Sequence, residues 1–395
     1  MTMNRPVLGS RMLFPHLTPT AYLNHGAISP PSVVVTEAVN AVLADYASRG
    51  VAAFISWMEQ REALRESLAV LINSRPEDIG FVPNTTQGII NTSMCMPWRS
   101  GDRVVVFRGE FPTNVTPWQR AAAAFDLEVV FLSLDGFDAS GAGLDRLEKE
   151  LRRGVRLVAL SAVQFQTGQR LPLSEIGQRC RAHNTVFSVD AIQACGVVPI
   201  DVQAACIDFL SCGSHKWLMG LEGCGFLYIH PDRIDELVPR IAGWLSHEDG
   251  LGFLFNGPGH LRYDRPIRKR ADFVETGAYN AVGFAALSAS LNPIQQLGVE
   301  NIHAHVNSYL DVLEIGLLER GFSSARGRTR SSQSGILSVK PPTENTLASL
   351  VSNLESRGVS CSMPDGWLRF APHWPNDVAE VPEVLSAVDA FLAQQ

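Results

Sequence analysis

At 395 residues, with 46% apolar and 18% charged side chains, the chain is long enough for one large domain and a smaller one around well-filled cores. A formal net charge of −7 speaks against a nucleic-acid surface, and no apolar run reaches bilayer length, so a cytoplasmic protein is expected. Cys95, Cys180, Cys195, Cys206, Cys212, Cys224 and Cys361 stand singly, without zinc-ligand spacing, which argues for reduced thiols and against a disulfide framework or a metal site.

Residues 1–15 lack the continuous apolar core of a signal peptide. Tyr22-Leu23-Asn24-His25-Gly26-Ala27 then reads as extended chain entering a turn at Ser29-Pro30-Pro31, because Gly26 and the prolines oppose a helix. Residues 32–46 and 59–72 predict helices. In the second, Leu64, Leu68, Leu71 and Ile72 share one face, and Glu59, Glu62, Arg65 and Glu66 take the other. A short strand at 79–82 leads through Pro83-Asn84-Thr85-Thr86-Gln87-Gly88 into a helical segment from Ile89. Thr85 and Thr86 read as helix caps, a position that also favours an anion such as phosphate.

Candidate strands at 104–107, 127–132, 157–161, 185–189 and 209–211 alternate with amphipathic stretches such as 144–152 and 173–182. That alternation predicts a mainly parallel sheet covered on both faces, with ligands at the carboxyl ends of its strands. At those ends stand Glu110 to Asn114, residues 164–167, Asp190 with Gln193, and Ser214 to Lys216. Lys216 lies in Ser211-Cys212-Gly213-Ser214-His215-Lys216-Trp217, at a turn between two apolar runs. Taken alone it is an ordinary surface lysine. Small and apolar neighbours, however, depress a lysine's pKa and leave an amine able to form a Schiff base with an aldehyde cofactor.

Asp190 ends a strand twenty-six positions before Lys216. By itself it is a helix cap. Paired with a Schiff-base lysine, it is the carboxylate that keeps a pyridine nitrogen protonated, which makes pyridoxal phosphate an electron sink. Gln193 would then donate to the ring's phenolate oxygen.

Residues 243–273 are rich in Gly, Pro and charge and predict an excursion that crosses to a partner subunit. Its basic cluster, Arg262, Arg265, Arg268, Lys269 and Arg270, lacks interleaved aromatics and reads as a solvated loop or subunit contact. A long helix after Val282 leads out of the large domain. The tail predicts a strand at 336–339, a helix at 345–356, a strand at 367–371 and a last helix at 381–393.

Val189-Asp190-Ala191-x-Gln193 followed by Ser214-His215-Lys216 resembles the signature of the aminotransferase class V family of pyridoxal-phosphate enzymes. That family includes cysteine desulfurases, selenocysteine lyases, kynureninase and isopenicillin N epimerase. The resemblance runs from Tyr22-Leu23-Asn24 to Arg369 and implies the type I PLP-dependent aminotransferase fold. This is an α/β architecture, with a mainly parallel sheet of the seven-stranded type in a large domain and a small α+β C-terminal domain. It also implies a homodimer with active sites at the interface. The expected divisions are an N-terminal arm at 1–20, the large cofactor-binding domain at 21–290 and the small domain at 291–395.

By position, the resemblance makes Lys216 the Schiff-base lysine and acid/base, Asp190 the partner of the pyridine nitrogen and Gln193 a contact of the phenolate. Ser214, His215, Thr86 and the amides around Thr85 hold the phosphate. In Glu110-Phe111-Pro112-Thr113-Asn114, Phe111 stacks on the ring and Asn114 lies near the phenolate. Arg369 binds the substrate's α-carboxylate, with Asn24 and His25 as further substrate contacts. No metal is implied.

Departures from the family pattern narrow the function. The desulfurase ring-stacking histidine is replaced by Phe111, which cannot titrate, and Cys361, the thiol between Gly358 and Arg369, reads as packed rather than nucleophilic. In Glu275-Thr276-Gly277-Ala278, alanine stands where the family's cross-subunit phosphate threonine is expected. Its cofactor-side asparagine is replaced in Val163-Gln164-Phe165-Gln166-Thr167-Gly168, where either Gln164 or Gln166 is the substitute. The reading is an enzyme that takes a small amino acid through an external aldimine, as an aminotransferase or β-eliminating C–S lyase. An epimerase resembling isopenicillin N epimerase is the alternative, with Tyr22, His25 and His373 as candidates for the second acid it requires. A catalytically silent binding module comes third.

Overall fold

The computed structural model describes residues 5–394 except Ala139, Glu344 and Asn345. In chain order its strands are β1 (Ala21–Tyr22), β2 (Ile79–Val82), β3 (Arg103–Phe107), β4 (Glu128–Leu132), β5 (Leu157–Ser161), β6 (Val186–Asp190), β7 (Phe209–Gly213), β8 (Gly225–Ile229), β9 (Ser323–Ser324), β10 (Leu337–Lys340), β11 (Val359–Ser360) and β12 (Leu368–Phe370). Seven form one sheet in the order β2-β8-β7-β6-β5-β3-β4. The run from β4 to β7 is parallel, whereas β8 is antiparallel to both of its neighbours, β7 and the edge strand β2, which again runs in the direction of the others. Every residue of β5 to β8 is buried, as strands rich in Val, Leu, Ile and Phe must be when helices cover both faces.

Register aligns the functional ends. Ser161 pairs with Asp190, and Asp190 pairs with Ser211, so the ends of β5 and β6 lie level with Ser211 of β7, just before the Ser214 to Lys216 turn. The helix Thr85–Cys95 closes over this row because Gly88 lets it approach β7. A Cβ at Gly88 would lie 2.1 Å from Ser211 Oγ, and that hydroxyl donates to Thr85 O at 2.9 Å. The cap of this helix is Asn84 rather than Thr85 or Thr86. Asn84 is fully extended and its Oδ1 accepts from Gln87 N at 2.8 Å, which puts both threonines in the first turn.

The polar face expected on the second helix, observed over Phe54–Ile72, is a correction of another kind. Arg65 is only 1% exposed and Arg61 6%, because both bind the buried Glu275. Around the excursion, short turns occupy Trp244–Ser246, Gly252–Phe255 and Ala271–Val274. Its basic residues are neutralised within the chain: Arg262 by Asp264, Arg265 by Asp249, Arg268 by Asp272 and Lys269 by Asp235.

The single long helix expected after Val282 is two, Ala281–Leu297 and Val299–Glu319, broken at Gly298, whose φ of 79° is left-handed. Beyond them, β12-β10-β9 form a small antiparallel sheet, accompanied by the helices Leu347–Ser356 and Val381–Leu392. Asn345, where the first of these helices was expected to begin, lies outside the described residues. The N-terminal segment is stitched to this region: β1 pairs with β11, and Asn24 bridges to Ala371. Thus residues 21–28 pass between the small sheet and the Lys216 turn.

Candidate active site

A cavity of about 510 Å³ opens at the carboxyl ends of β6 and β7. Of the residues singled out in the sequence, Thr85, Thr86, Phe111, Asp190, Gln193, His215, Lys216 and Arg369 line it. A second cavity, about 580 Å³ and bordered by Arg170 and Thr329, contains none of them.

Burial pulls the Lys216 amine down to about 8; the nearby Arg369 acts in the same direction and Asp190 opposes it. Asp190 is 2% exposed and burial raises its carboxyl to about 6. Its Oδ1 accepts from Ile192 N at 3.0 Å, and among the described residues its other oxygen has no hydrogen-bond partner. Arg369 projects from β12, only 5% exposed, and meets no carboxylate among the described residues; burial pulls its guanidinium down to about 10. Nε donates to Ser362 Oγ at 3.0 Å and Nη1 to Phe165 O at 2.9 Å, leaving Nη2 for a ligand. A buried arginine without an anion is costly unless an anion arrives.

The residues fit pyridoxal phosphate. Asp190 presents an unmatched carboxylate oxygen to the cavity, as a pyridinium nitrogen requires. Phe111 is 45% exposed, offering a flat apolar face, with the Lys216 Nζ 5.7 Å from its ring centroid. At one end the first turn of the helix Thr85–Cys95 and His215 surround space suited to a phosphate. Thr86 Oγ1 pairs with Thr113 Oγ1 at 2.8 Å, whereas Thr85 Oγ1 accepts from Gly213 N at 2.9 Å and so ties the helix to the lysine strand. Burial, and then Lys216, lower the His215 pKa, which makes the neutral ring the donor at neutral pH.

Other predicted residues lie outside the lining. Ser214 is fully buried and its hydroxyl donates to Leu221 O, so it braces the lysine turn from below. Asn114 is also fully buried; its Oδ1 accepts from Trp118 Nε1 at 3.3 Å and its Nδ2 has no partner among the described residues. His25 is 1% exposed, with Nδ1 2.8 Å from Ser29 Oγ and its ring edge-on to His373, while Asn24 Oδ1 is buried with no partner among the described residues. Neither Asn24 nor His25 lines the cavity; their backbone neighbour Gly26 does. Gln193 is at the wall, with Nε2 donating to Gly26 O at 3.0 Å and Oε1 accepting from Trp217 Nε1 at 2.8 Å, which leaves one amide hydrogen free.

Sequence reasoning missed Ile28, Phe165, Glu222 and Pro364, all in the lining. Phe165 stood between Gln164 and Gln166, which drew attention as amides. Gln164 is in fact buried and donates to Gly109 O at 2.7 Å, while Gln166 Nε2 donates to Asp365 Oδ2 at 2.5 Å. Neither amide lines the cavity, and the wall between them is the Phe165 ring. Glu110, given no role from sequence, anchors its carboxylate on Ser161 N at 2.7 Å and on the Ser161 hydroxyl, and burial lifts it to about 7.

This architecture, with a lysine, an aspartate and an arginine converging on one cavity, is that of the pyridoxal-phosphate enzymes of the type I fold. A family model described as "Aminotransferase class-V" matches residues 21–364, and the chain belongs to that family. It is 24% identical to the uncharacterized aminotransferase YcbU of Bacillus subtilis, over 96% of both chains. To a probable cysteine desulfurase of Pyrococcus abyssi it is 26% identical, over 94% of both. Among solved structures, the cystine C-S lyase C-DES in complex with its reaction product cysteine persulfide superposes with a TM-score of 0.85 at 25% identity, covering 94% of this chain and 97% of that one. A C-DES variant with glycine covalently linked to the PLP cofactor gives a TM-score of 0.87 at 25% identity, covering 96% and 98%.

Proposed function

We propose that the chain is a pyridoxal phosphate-dependent lyase that cleaves the C–S bond of a small amino acid by β-elimination. The observation that carries this reading is the convergence of Lys216, Asp190 and the unpaired Arg369 on one cavity. When bound, the cofactor supplies an aldehyde for the substrate amine and a protonated ring that accepts electrons from the Cα–H bond. Asp190 keeps the proton on the ring nitrogen. Arg369 grips the α-carboxylate with its free Nη2 and orients Cα. Lys216, whose amine burial brings to about 8, takes the Cα proton near neutral pH and passes a proton to the departing sulfur. Thr86, His215 and the helix amides hold the phosphate, and Phe111 stacks without exchanging protons. In sum, an S-substituted cysteine and one water give a thiol, pyruvate and ammonium, with no oxidant or reductant required.

Elimination is favoured over desulfuration because the latter needs a nucleophilic thiol, and Cys361 is 3% exposed with its pKa pushed up to about 12 by burial. It is favoured over epimerisation because the acids considered for the opposite face are otherwise engaged. Tyr22 OH donates to Ile28 O at 2.6 Å, His25 pairs with Ser29, and His373 Nε2 donates to Trp217 O at 2.8 Å. The similarity to the C–S lyase C-DES supports the same choice. A homodimer belongs to this reading: Trp244 and Phe255, 44% and 61% exposed, border one apolar cavity with Leu254, a surface suited to a second copy. Reduced, unpaired thiols support a cytoplasmic setting. No helix among the described residues is long and apolar enough to cross a membrane.

The test is reconstitution with pyridoxal phosphate followed by incubation with S-substituted cysteines. A visible absorbance band lost in Lys216→Ala, with release of thiol, pyruvate and ammonia, is the expected outcome. Keto acid with aminated cofactor would identify a transaminase, and solvent deuterium at an inverted Cα an epimerase. Absence of any cofactor band would defeat the whole reading.

A further inference from the structure

The cavity contains more apolar wall than the chemistry at Cα uses. Phe111, Phe165, Ile28, Ile192 and Pro364 line it, while its lining cations are Lys216 and Arg369. In the proposed reaction Arg369 is occupied by the α-carboxylate. A second carboxylate on the substrate would find no further lysine or arginine among the described residues that this chain contributes to the lining and would share the space with Asp190 and Glu222. On this chain's side of the cavity, acidic side chains are therefore opposed by charge and find no compensating partner for their desolvation.

The backbone segments that carry Phe165 and Ile28 are held by hydrogen bonds from outside the cavity. Phe165 sits in a turn organised by buried Gln164, whose Oε1 accepts from Gln166 N at 2.7 Å and from Thr167 N at 2.6 Å. Its carbonyl accepts from Arg369, so ring and carboxylate anchor share one backbone group. Gln166 Nε2 then ties this turn to Asp365, next to Pro364. Ile28 is 49% exposed although its segment is firmly held: Tyr22 OH bonds its carbonyl, and Ser29 N donates to His215 O at 2.8 Å. The Phe165 ring stands edge-on to Phe111, with centroids 5.2 Å apart and an 87° interplanar angle, which leaves Phe111 free to stack on a cofactor. Preorganised apolar surface of this kind binds apolar groups at little ordering cost.

We propose that this cavity selects monocarboxylic amino acids with a bulky, uncharged β-substituent, namely S-alkyl and S-aryl cysteines, and that Phe165, Ile28 and Pro364 form the wall that receives the substituent. This deepens the elimination reading and rests on it for the sulfur. The specificity itself is tested without turnover. Holoenzyme is titrated calorimetrically with 3-phenylpropanoate, propanoate and succinate, which share a carboxylate and differ in what the wall meets. The expected order is 3-phenylpropanoate first, about tenfold or more tighter than succinate. Phe165→Ala and, separately, Ile28→Ala should weaken 3-phenylpropanoate about tenfold while leaving propanoate within about twofold.

Equal binding of the three acids, tighter succinate, or equal loss for propanoate in both variants would overturn the proposal. In parallel, S-benzyl-L-cysteine, S-methyl-L-cysteine and cysteine sulfinate are assayed for pyruvate and ammonia. If none reacts while 3-phenylpropanoate still binds selectively through Phe165, the elimination reading fails and the apolar wall stands. If elimination proceeds with cysteine sulfinate preferred, the wall proposal fails and the elimination reading stands.

Discussion

Ser29 Oγ donates to the backbone carbonyl of Lys216 at 2.6 Å, and Ser29 N donates to the carbonyl of His215. Residues 187 apart in sequence are thereby joined at the backbone of Lys216. Since the Ser29 hydroxyl spends its hydrogen on Lys216 O, it accepts from His25 Nδ1, which fixes the tautomer of that buried imidazole. His25 thus supports the lysine turn through Ser29. Ser29→Ala should cost about 1–2 kcal/mol of stability by leaving a buried carbonyl and His25 unmatched. It should also lower kcat more than it raises KM, with Ser29→Thr restoring most of both. Urea denaturation with steady-state kinetics checks this, and an unchanged kcat in Ser29→Ala would contradict it.

Asp190 gives a pH signature. Burial raises its pKa from 3.8 to about 6, so between those values the folded apoprotein holds a proton that the unfolded chain has released. Stability from this group is therefore lost as pH rises through that window, and the full penalty, about 3 kcal/mol, is present above pH 6. Asp190→Asn should stabilise the apoprotein by about that amount at pH 7.5, the advantage shrinking toward zero as pH falls to about 4. In the holoenzyme the effect should reverse, because a pyridinium supplies the charge that the carboxylate lacks. Urea midpoints across pH, with and without cofactor, decide it; an apo variant no more stable than wild type at pH 7.5 would refute the desolvation argument.

Much of the sheet was legible because parallel strands buried on both faces are written as apolar runs; β2 and β5 match the expected 79–82 and 157–161. That Lys216 and Asp190 border the cavity was legible because each is expensive to bury and stands at a turn or a strand end, whereas Arg369, in the middle of β12, was marked by the family resemblance. Residues whose role depends on a distant partner were not. Arg65 reads as a solvent-facing helix residue until Glu275 arrives 210 positions later to pair with it. His25 reads as a substrate contact until Ser29 and His373 enclose it. Phe165 has no periodicity that marks it as cavity wall, because it lies in an irregular turn whose shape Gln164 sets through hydrogen bonds.

Cys361 should be dispensable for turnover. It is buried beside β11 and its thiol is held up at about 12, so little thiolate exists at neutral pH. Cys361→Ala should leave kcat within about twofold and cost about 1 kcal/mol of stability as a small cavity opens. The folded protein should not be labelled at Cys361 by a thiol-specific alkylating reagent, whereas unfolded protein should be. Loss of C–S cleavage in Cys361→Ala, in a variant that still folds and binds cofactor, would restore the desulfurase mechanism.

Glu275 is the electrostatic keystone of the helix Phe54–Ile72. It is 5% exposed, and its two oxygens take Arg65 Nη1 at 2.7 Å and Arg61 Nη1 at 3.0 Å, while Phe81 N donates to Oε1 at 3.1 Å. Arg65 Nη1 also reaches Ile79 O at 2.5 Å, so the cluster clamps the helix to the edge strand β2. Glu62, 48% exposed at its side chain, contacts both arginines but is half open to solvent, which screens its charge and keeps it from replacing a buried counter-ion. Glu275→Gln should leave two buried guanidinium groups short of charge and destabilise the protein by about 3–5 kcal/mol. Glu62→Gln should cost only about 0–1 kcal/mol. Because β2 leads directly into Asn84 and the threonines of the cavity, the Glu275 variant should also bind pyridoxal phosphate more weakly. Chemical denaturation and cofactor titration of the two variants measure this contrast, and equal small losses would show that the buried cluster is energetically neutral.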